Sequence, residues 1–284
     1  MLYLDHFRLK SEPFGLTPNR ALYYPENHAQ ILAALMYAIE RGEGIVKVVG
    51  EVGTGKTMLC RLLLQALDDF AEVAYITAPR TDPLAIVKNV CKDFGIKVSG
   101  HQDPFDLLSQ HLIDVRKTGR KSILVVDESQ ALGARGLEAV RLLTNYETDD
   151  SKLLQVVLFG QPELDDLLRQ RDLRQLAQRI TFSLYTRAFD RDAVGRYIHH
   201  RVSLCTYAES PHYLFSKVAL DMIARESRGV PRVVNILADR SLLAAYAEGA
   251  KQVQRRHVRV AVQEGMLWPE SPSFWARMVE AILP

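Results

Sequence analysis

Between Ile45 and Leu184 short apolar runs alternate with longer stretches in which apolar residues recur every third or fourth position. Short apolar runs bounded by turn residues read as buried strands, whereas the wider spacing marks one face of a helix. The runs Ile45–Val49, Val73–Ile76, Ile123–Val126, Leu154–Phe159 and Thr181–Leu184 predict strands. Helices are predicted over His28–Arg41, where Ile31, Leu32, Leu35, Met36 and Ile39 share a side, and over Lys56–Leu67, Pro83–Phe94, Pro104–Arg116 and Gly136–Tyr146. Short helical pieces fill Glu163–Arg179. Asp82-Pro83 and Asp103-Pro104 each place an N-cap before a proline at the first helical position. Apolar strands alternating with helices predict an α/β fold, a parallel sheet sandwiched by helices.

The strand signal stops near Ala188. Asp190–Cys205, Ser216–Glu226, Pro231–Glu248 and Arg256–Met266 all carry helical periodicity. The pattern divides the chain into residues 1–187, an irregular proline-bearing arm (Met1–Glu26) plus the α/β core, and residues 188–284, a smaller all-helical domain. No internal repeat or low-complexity tract interrupts either part.

Length fits this division, since 284 residues amount to about two domains. With 48% hydrophobic and 25% charged residues, disordered and fibrous classes are excluded. A net charge of +2 is too balanced to imply a general polyanion binder but leaves room for a local basic face. Cys60, Cys91 and Cys205 fit no metal or redox spacing and read as reduced, packed thiols. The N-terminus has no secretory h-region, and runs such as Ile123–Val126 and Val156–Phe159 are far too short to span a bilayer. The expectation is a cytoplasmic chain.

Chemistry enters at Gly50-Glu51-Val52-Gly53-Thr54-Gly55-Lys56-Thr57, a full G-x-x-x-x-G-K-[ST] between a strand and a helix. Oxyanions of a triphosphate need backbone N–H groups around them, and side chains would block that approach. Gly50, Gly53 and Gly55 keep the loop open. Val52, Thr54 and Met58 complete the cradle, and the helix beginning near Lys56 turns its positive end toward the anion. Lys56 reaches the β- and γ-phosphates, and the Thr57 hydroxyl suits Mg²⁺. A second strand, Ile123–Val126, ends in Asp127 and Glu128. Asp127 is placed to hold the metal, and Glu128 to polarise a water as general base. ATP and Mg²⁺ are the cofactors this pairing implies.

The stretches Gly44–Leu67, Tyr3–Asn19, Val125–Gln130 ("VVDESQ") and Leu142–Glu163 resemble the AAA+ ATPases of the ExeA/GspA secretion family, and within it the MshM-like branch of MSHA-pilus biogenesis. The resemblance implies a P-loop NTPase core followed by a helical lid. It places sensor 1 on Gln161, which reads otherwise as a turn residue before Pro162. It places an arginine finger, supplied across a subunit interface, on Arg179 or, second, Arg174; the alternative is a basic helix facing solvent. It places sensor 2 on Arg232 in Gly229-Val230-Pro231-Arg232, which reads otherwise as an exposed first-turn arginine; Thr77, at the end of the second strand, is a candidate to hold Glu128 inactive by a hydrogen bond. The longer relatives continue into a membrane helix and a wall-binding region. Neither follows here, as in a short member or a truncated sequence. The tail Ser273–Leu283 carries an apolar stripe that either docks on a partner or packs on its own domain.

Three functions compete. The first is a homo-oligomeric ATPase driving pilus or secretion assembly with partners at the inner membrane. The second is a DNA-acting regulator of the transposition type, motivated by Lys251, Arg255, Arg256, His257 and Arg259, a cluster that otherwise reads as a solvated face. The third is a nucleotide-gated scaffold without turnover, against which Glu128 argues.

Overall fold

The computed structural model describes residues 2–266 apart from 18, 27, 78, 80, 100–101, 148–151 and 208–212. In chain order the elements are α1 (Leu2–His6), α2 (Ala29–Glu40), β1 (Ile45–Val49), α3 (Lys56–Leu67), β2 (Ala71–Ile76), α4 (Pro83–Asp93) and α5 (Pro104–Lys117). There follow β3 (Lys121–Val126), α6 (Gly133–Leu143), β4 (Leu154–Gly160), α7 (Pro162–Leu168), α8 (Arg174–Arg179) and β5 (Ile180–Tyr185). The helices α9 (Arg191–Cys205), α10 (Lys217–Ser227), α11 (Pro231–Ala247) and α12 (Arg255–Met266) close the described chain. The described residues form two compact units, one of Glu26–Arg187 and the other of the arm up to Pro25 together with the residues from Ala188 on.

The first unit is the parallel sheet between helices that the pattern predicts, in the order β2-β3-β4-β1-β5. Alternate residues serve opposite faces. Val46, Val48, Val125 and Phe159 pack with Leu35, Ile39, Leu59 and Leu63 from α2 and α3. Ile45, Val49, Leu124 and Leu158 pack with Ile86, Leu108, Leu137 and Val140 from α4, α5 and α6. Both faces are therefore covered, which explains why β3 and β4 are near-continuous apolar runs. Asp82 and Asp103 cap α4 and α5 by accepting from the amides of Ala85 and Phe105. Several boundaries differ from expectation, most by one residue, and β3 starts two residues early at Lys121. β2 starts two residues early because Ala71 and Glu72 pair with Lys121 and Ser122. α6 spans Gly133–Leu143, fed by a tight turn at Ser129–Leu132 and closed by Thr144, whose hydroxyl donates to the Arg141 carbonyl.

The strand order decides where chemistry can sit. β3, β4, β1 and β5 are neighbours, and Val49 pairs with both Gly160 and Tyr185. The segments that leave their C-terminal ends therefore share one edge of the sheet.

The helical unit packs α9 to α12 around Val194, Ile198, Ile223, Val234 and Leu242. The sequence groups the N-terminal arm with the α/β core; the structure corrects this. Tyr3, Phe7, Leu9 and Phe14 are buried in the helical core. Leu9 bridges Thr206, the Lys10 amide donates to the Cys205 carbonyl, and the Phe14 ring meets Phe215 edge-on. The arm's aromatics supply apolar bulk that four short helices lack, a pairing that no periodicity within residues 1–26 could show. The tail Ser273–Leu283 lies outside the described residues.

Candidate functional site

The loop leaving β1 is shaped by what presses on it. The Gly50 amide donates to the Gly160 carbonyl at 3.1 Å, and a Cβ on Gly50 would stand 1.8 Å from the Thr186 hydroxyl. Gly53 and Gly55 have φ of 82° and 95°, a left-handed conformation that side chains disfavour. Among the described residues no carbonyl or side chain accepts from the backbone amides of Gly53, Gly55, Lys56, Thr57 and Met58. That is the fit for a polyanion: a row of unclaimed donors at the start of a helix whose Leu59 and Leu63 anchor it in the core. Val52 projects outward, 55% exposed.

Lys56 is buried to 5% exposure, its Nζ donating to the carbonyls of Gly50 (2.6 Å) and Glu51 (3.0 Å). Burial lowers its pKa, and the negative field of Glu128 and Asp127 opposes that shift. Asp127 continues β3 and donates its amide to the Ile76 carbonyl. Its Oδ2 accepts from the Thr57 hydroxyl at 3.4 Å, and its Oδ1 from the Glu128 amide at 2.9 Å. Burial raises its pKa against those hydrogen bonds. The Thr57 and Asp127 oxygens together fit a hard cation such as Mg²⁺, which takes few protein ligands and keeps waters or phosphates in the remaining positions.

Glu128 turns out of the strand with φ 50° and ψ 41°, a left-handed backbone uncommon for a non-glycine residue. Its Oε2 accepts from the side-chain amides of Gln130 (2.6 Å) and Gln161 (2.7 Å), and the Gln161 backbone amide donates to Gln130 Oε1 (3.0 Å). Glu128, Gln130 and Gln161 thus form a closed ring of hydrogen bonds. Among the described residues no hydrogen bond joins Thr77 to Glu128. The glutamines hold it instead.

Three residues missed by the sequence reading shape the site. His28, just before α2, sets Nε2 3.1 Å from the Thr54 carbonyl and its ring 2.5 Å from where a Gly55 Cβ would be. Thr186, at the end of β5, places its hydroxyl 2.7 Å from that of Thr54. Gln130 lies within the segment that carries Asp127 and Glu128, where only its spacing from Glu128 was available as a signal. Nothing in the local pattern marks His28 or Thr186.

Arg179 lies at the opposite end of the sheet from this edge. Arg179 ends α8 at the start of β5, donating to the Thr144 hydroxyl at 3.1 Å. The loop lies beyond the other end of that strand, about 20 Å away along it. Arg174 is exposed in the first turn of α8. Arg232 is exposed in the first turn of α11, within the helical unit. Of the basic cluster, Arg256 and the buried His257 are both engaged by Glu248. Cys60, Cys91 and Cys205 are all buried, and burial pushes the Cys60 thiol up to about 12.

Residues 39–168 match the family described as AAA domain. The chain carries an AAA P-loop fold. Over 93% of its length it is 40% identical to the general secretion pathway protein A of Aeromonas hydrophila, and it spans 48%, about half, of that relative. The AAA fold recurs in Cdc6p of Pyrobaculum aerophilum (TM-score 0.70, 19% identity, 95% of this chain and 73% of that one). It recurs also in the Aeropyrum pernix ORC2 protein, solved as ADPNP and ADP complexes (TM-score 0.64, 18% identity, 87% and 72%). At those identities the two structures speak for the AAA fold alone. No helix of the described residues is long and apolar enough to cross a membrane.

Proposed function

We infer that the chain is a Mg²⁺-dependent ATPase that drives assembly of a secretion or type IV pilus apparatus. The observation that carries the reading is the shared sheet edge. There the unclaimed amides of Gly53, Gly55, Lys56, Thr57 and Met58, the Lys56 ammonium, the Thr57–Asp127 oxygens and the Glu128 carboxylate converge. When bound, the magnesium nucleotide supplies a polarised phosphoanhydride. Lys56 and the loop amides, with Gly50 leaving room beside them, neutralise its terminal oxygens. Thr57 and Asp127 hold the ion. Glu128 accepts a proton from the attacking water, which Gln161 orients.

Arg179 cannot reach its own loop, so its role as a finger requires a neighbouring copy, and Arg174 is the second choice. Arg232 is assigned to γ-phosphate sensing from the helical unit. The likeness to general secretion pathway protein A supports the assignment to secretion; partners at the inner membrane and a cytoplasmic place for this chain are part of the same proposal. The DNA-acting alternative is weakened because Glu248 engages two members of the basic cluster, Arg256 and His257.

Phosphate release from ATP by the purified chain, with Mg²⁺ and with excess chelator, tests the reading. Turnover that needs the metal and disappears in Lys56→Ala supports it. ATP affinity unchanged in Lys56→Ala would overturn the loop assignment.

A further inference from the structure

The helical unit contains, within itself, a hollow of about 490 Å³ whose chemistry the proposed reaction does not use. Four guanidinium groups line it: Arg191, Arg225, Arg228 and Arg255. Arg191 is paired with Asp221, and Arg225 with Glu226. Among the described residues the guanidinium groups of Arg228 and Arg255 have no hydrogen-bond or ion-pair partner, and both residues are exposed. The floor between them is apolar, formed by Phe189, Met222 and Val218, the last 54% exposed.

Arg228 is held there deliberately by the backbone. It sits at the C-cap of α10 with φ 50°, in the left-handed region where glycine or asparagine is usual. Gly229 follows with φ 73°, and a Cβ on it would lie 1.9 Å from the Phe189 carbonyl oxygen. The Phe189 amide donates to the Gly229 carbonyl, and the Gly229 amide to the Ser227 hydroxyl. The turn is therefore locked against the hollow. An arginine in that strained position gains nothing for the fold that glycine would not supply better. Arg255 stands in the first turn of α12, where a cation opposes the helix dipole. Two cations are thus kept in locally unfavourable places around one cavity, as expected of groups that serve a ligand.

We propose that this hollow docks a partner protein through an acidic segment that also carries an apolar side chain. Guanidinium forks pair with carboxylates through two parallel hydrogen bonds, which fits Arg228 and Arg255. The apolar floor distinguishes the occupant. A nucleic-acid backbone needs an extended basic track and gains nothing from Phe189, Met222 and Val218. A bare oxyanion likewise leaves that floor uncovered. An aliphatic or aromatic side chain flanked by Asp or Glu satisfies both parts.

The test is fluorescence anisotropy with the full chain and a panel of short labelled peptides, Asp and Glu interleaved with Leu or Phe at varied spacing. The comparison probes are the same peptides with glycine at the apolar positions, and a labelled DNA duplex. At least one acidic–apolar peptide should bind. Its affinity should fall at least about tenfold in Arg228→Gln and in Arg255→Gln, the loss of one charge-assisted hydrogen-bonded pair. The glycine versions should bind comparably more weakly. Arg228→Gly separates docking from structure: it should melt at higher temperature than the parent while losing peptide affinity. No binding by any peptide, equal binding by the glycine versions, or affinity indifferent to both arginines overturns the proposal. So does duplex binding that these variants abolish while the peptides stay unbound.

Discussion

The imidazole of His28 is hydrogen-bonded through Nε2 to the carbonyl of Thr54, 3.1 Å away. A carbonyl only accepts, so Nε2 carries the proton of the neutral ring. Burial lowers the His28 pKa, with the Thr54 hydrogen bond opposing that shift. The unfolded chain titrates this group near 6.5, so just below that pH the unfolded state binds the extra proton. Stability from His28 is therefore present above about pH 6.5 and is lost as pH falls through the lower folded value. His28→Phe should cost about 1 kcal/mol at neutral pH and flatten the decline in melting temperature between about pH 7 and pH 5. A variant with the same acid limb as the parent would contradict this.

Glu128 is the base in the proposed chemistry. Glu128→Gln should retain ATP affinity and lose at least about 100-fold in turnover, read in single-turnover phosphate release. Parental turnover in this variant would remove Glu128 from the role.

Arg179 and Lys56 should belong to different copies when they act on one nucleotide. Arg179→Ala and Lys56→Ala should each be inactive alone, and mixing them should restore measurable turnover at assembling concentrations. A mixture as inactive as its parts would mean that Arg179 is no finger. Arg174→Ala should have the smaller effect.

Gly50 and Thr186 are sterically coupled. Gly50→Ala should destabilise by about 1–3 kcal/mol, because the new methyl meets the Thr186 hydroxyl. Adding Thr186→Ala should recover part of that loss, a coupling readable in a double-mutant cycle by denaturant unfolding. Strict additivity would show that the contact does not matter.

Asp239 carries a pKa raised from 3.8 to about 6, chiefly by burial and next by the charge of Glu12. Between those values the folded chain holds a proton that the unfolded chain has released, so stability falls as pH rises through the window and stays lower above it. Asp239→Asn removes the penalty and still accepts from the Tyr3 hydroxyl. It should stabilise the helical unit by up to about 3 kcal/mol at pH 7 and have little effect near pH 4, by thermal melts at both.

Much of the α/β core was legible because its central strands are buried on both faces and two of its helices, α4 and α5, begin with Asp-Pro. The loop and the acidic strand end were legible because their chemistry is compressed into adjacent residues. What escaped is tertiary. His28 and Thr186 lie 26 and 132 residues from Thr54, and only the folded sheet brings all three together. The arm's home in the helical unit was hidden for the same reason, since its aromatics have no period and find their partners across most of the chain.

The doubly held Thr54 has a consequence for how an anion would be received. Its carbonyl and its hydroxyl are already committed, to His28 and Thr186, so the loop has surrendered much of its disorder during folding. Little ordering entropy is left to be spent at the moment of capture, and more of the contact energy is available as affinity. Loosening either tether should show itself as a less favourable binding entropy, even where every phosphate contact is kept.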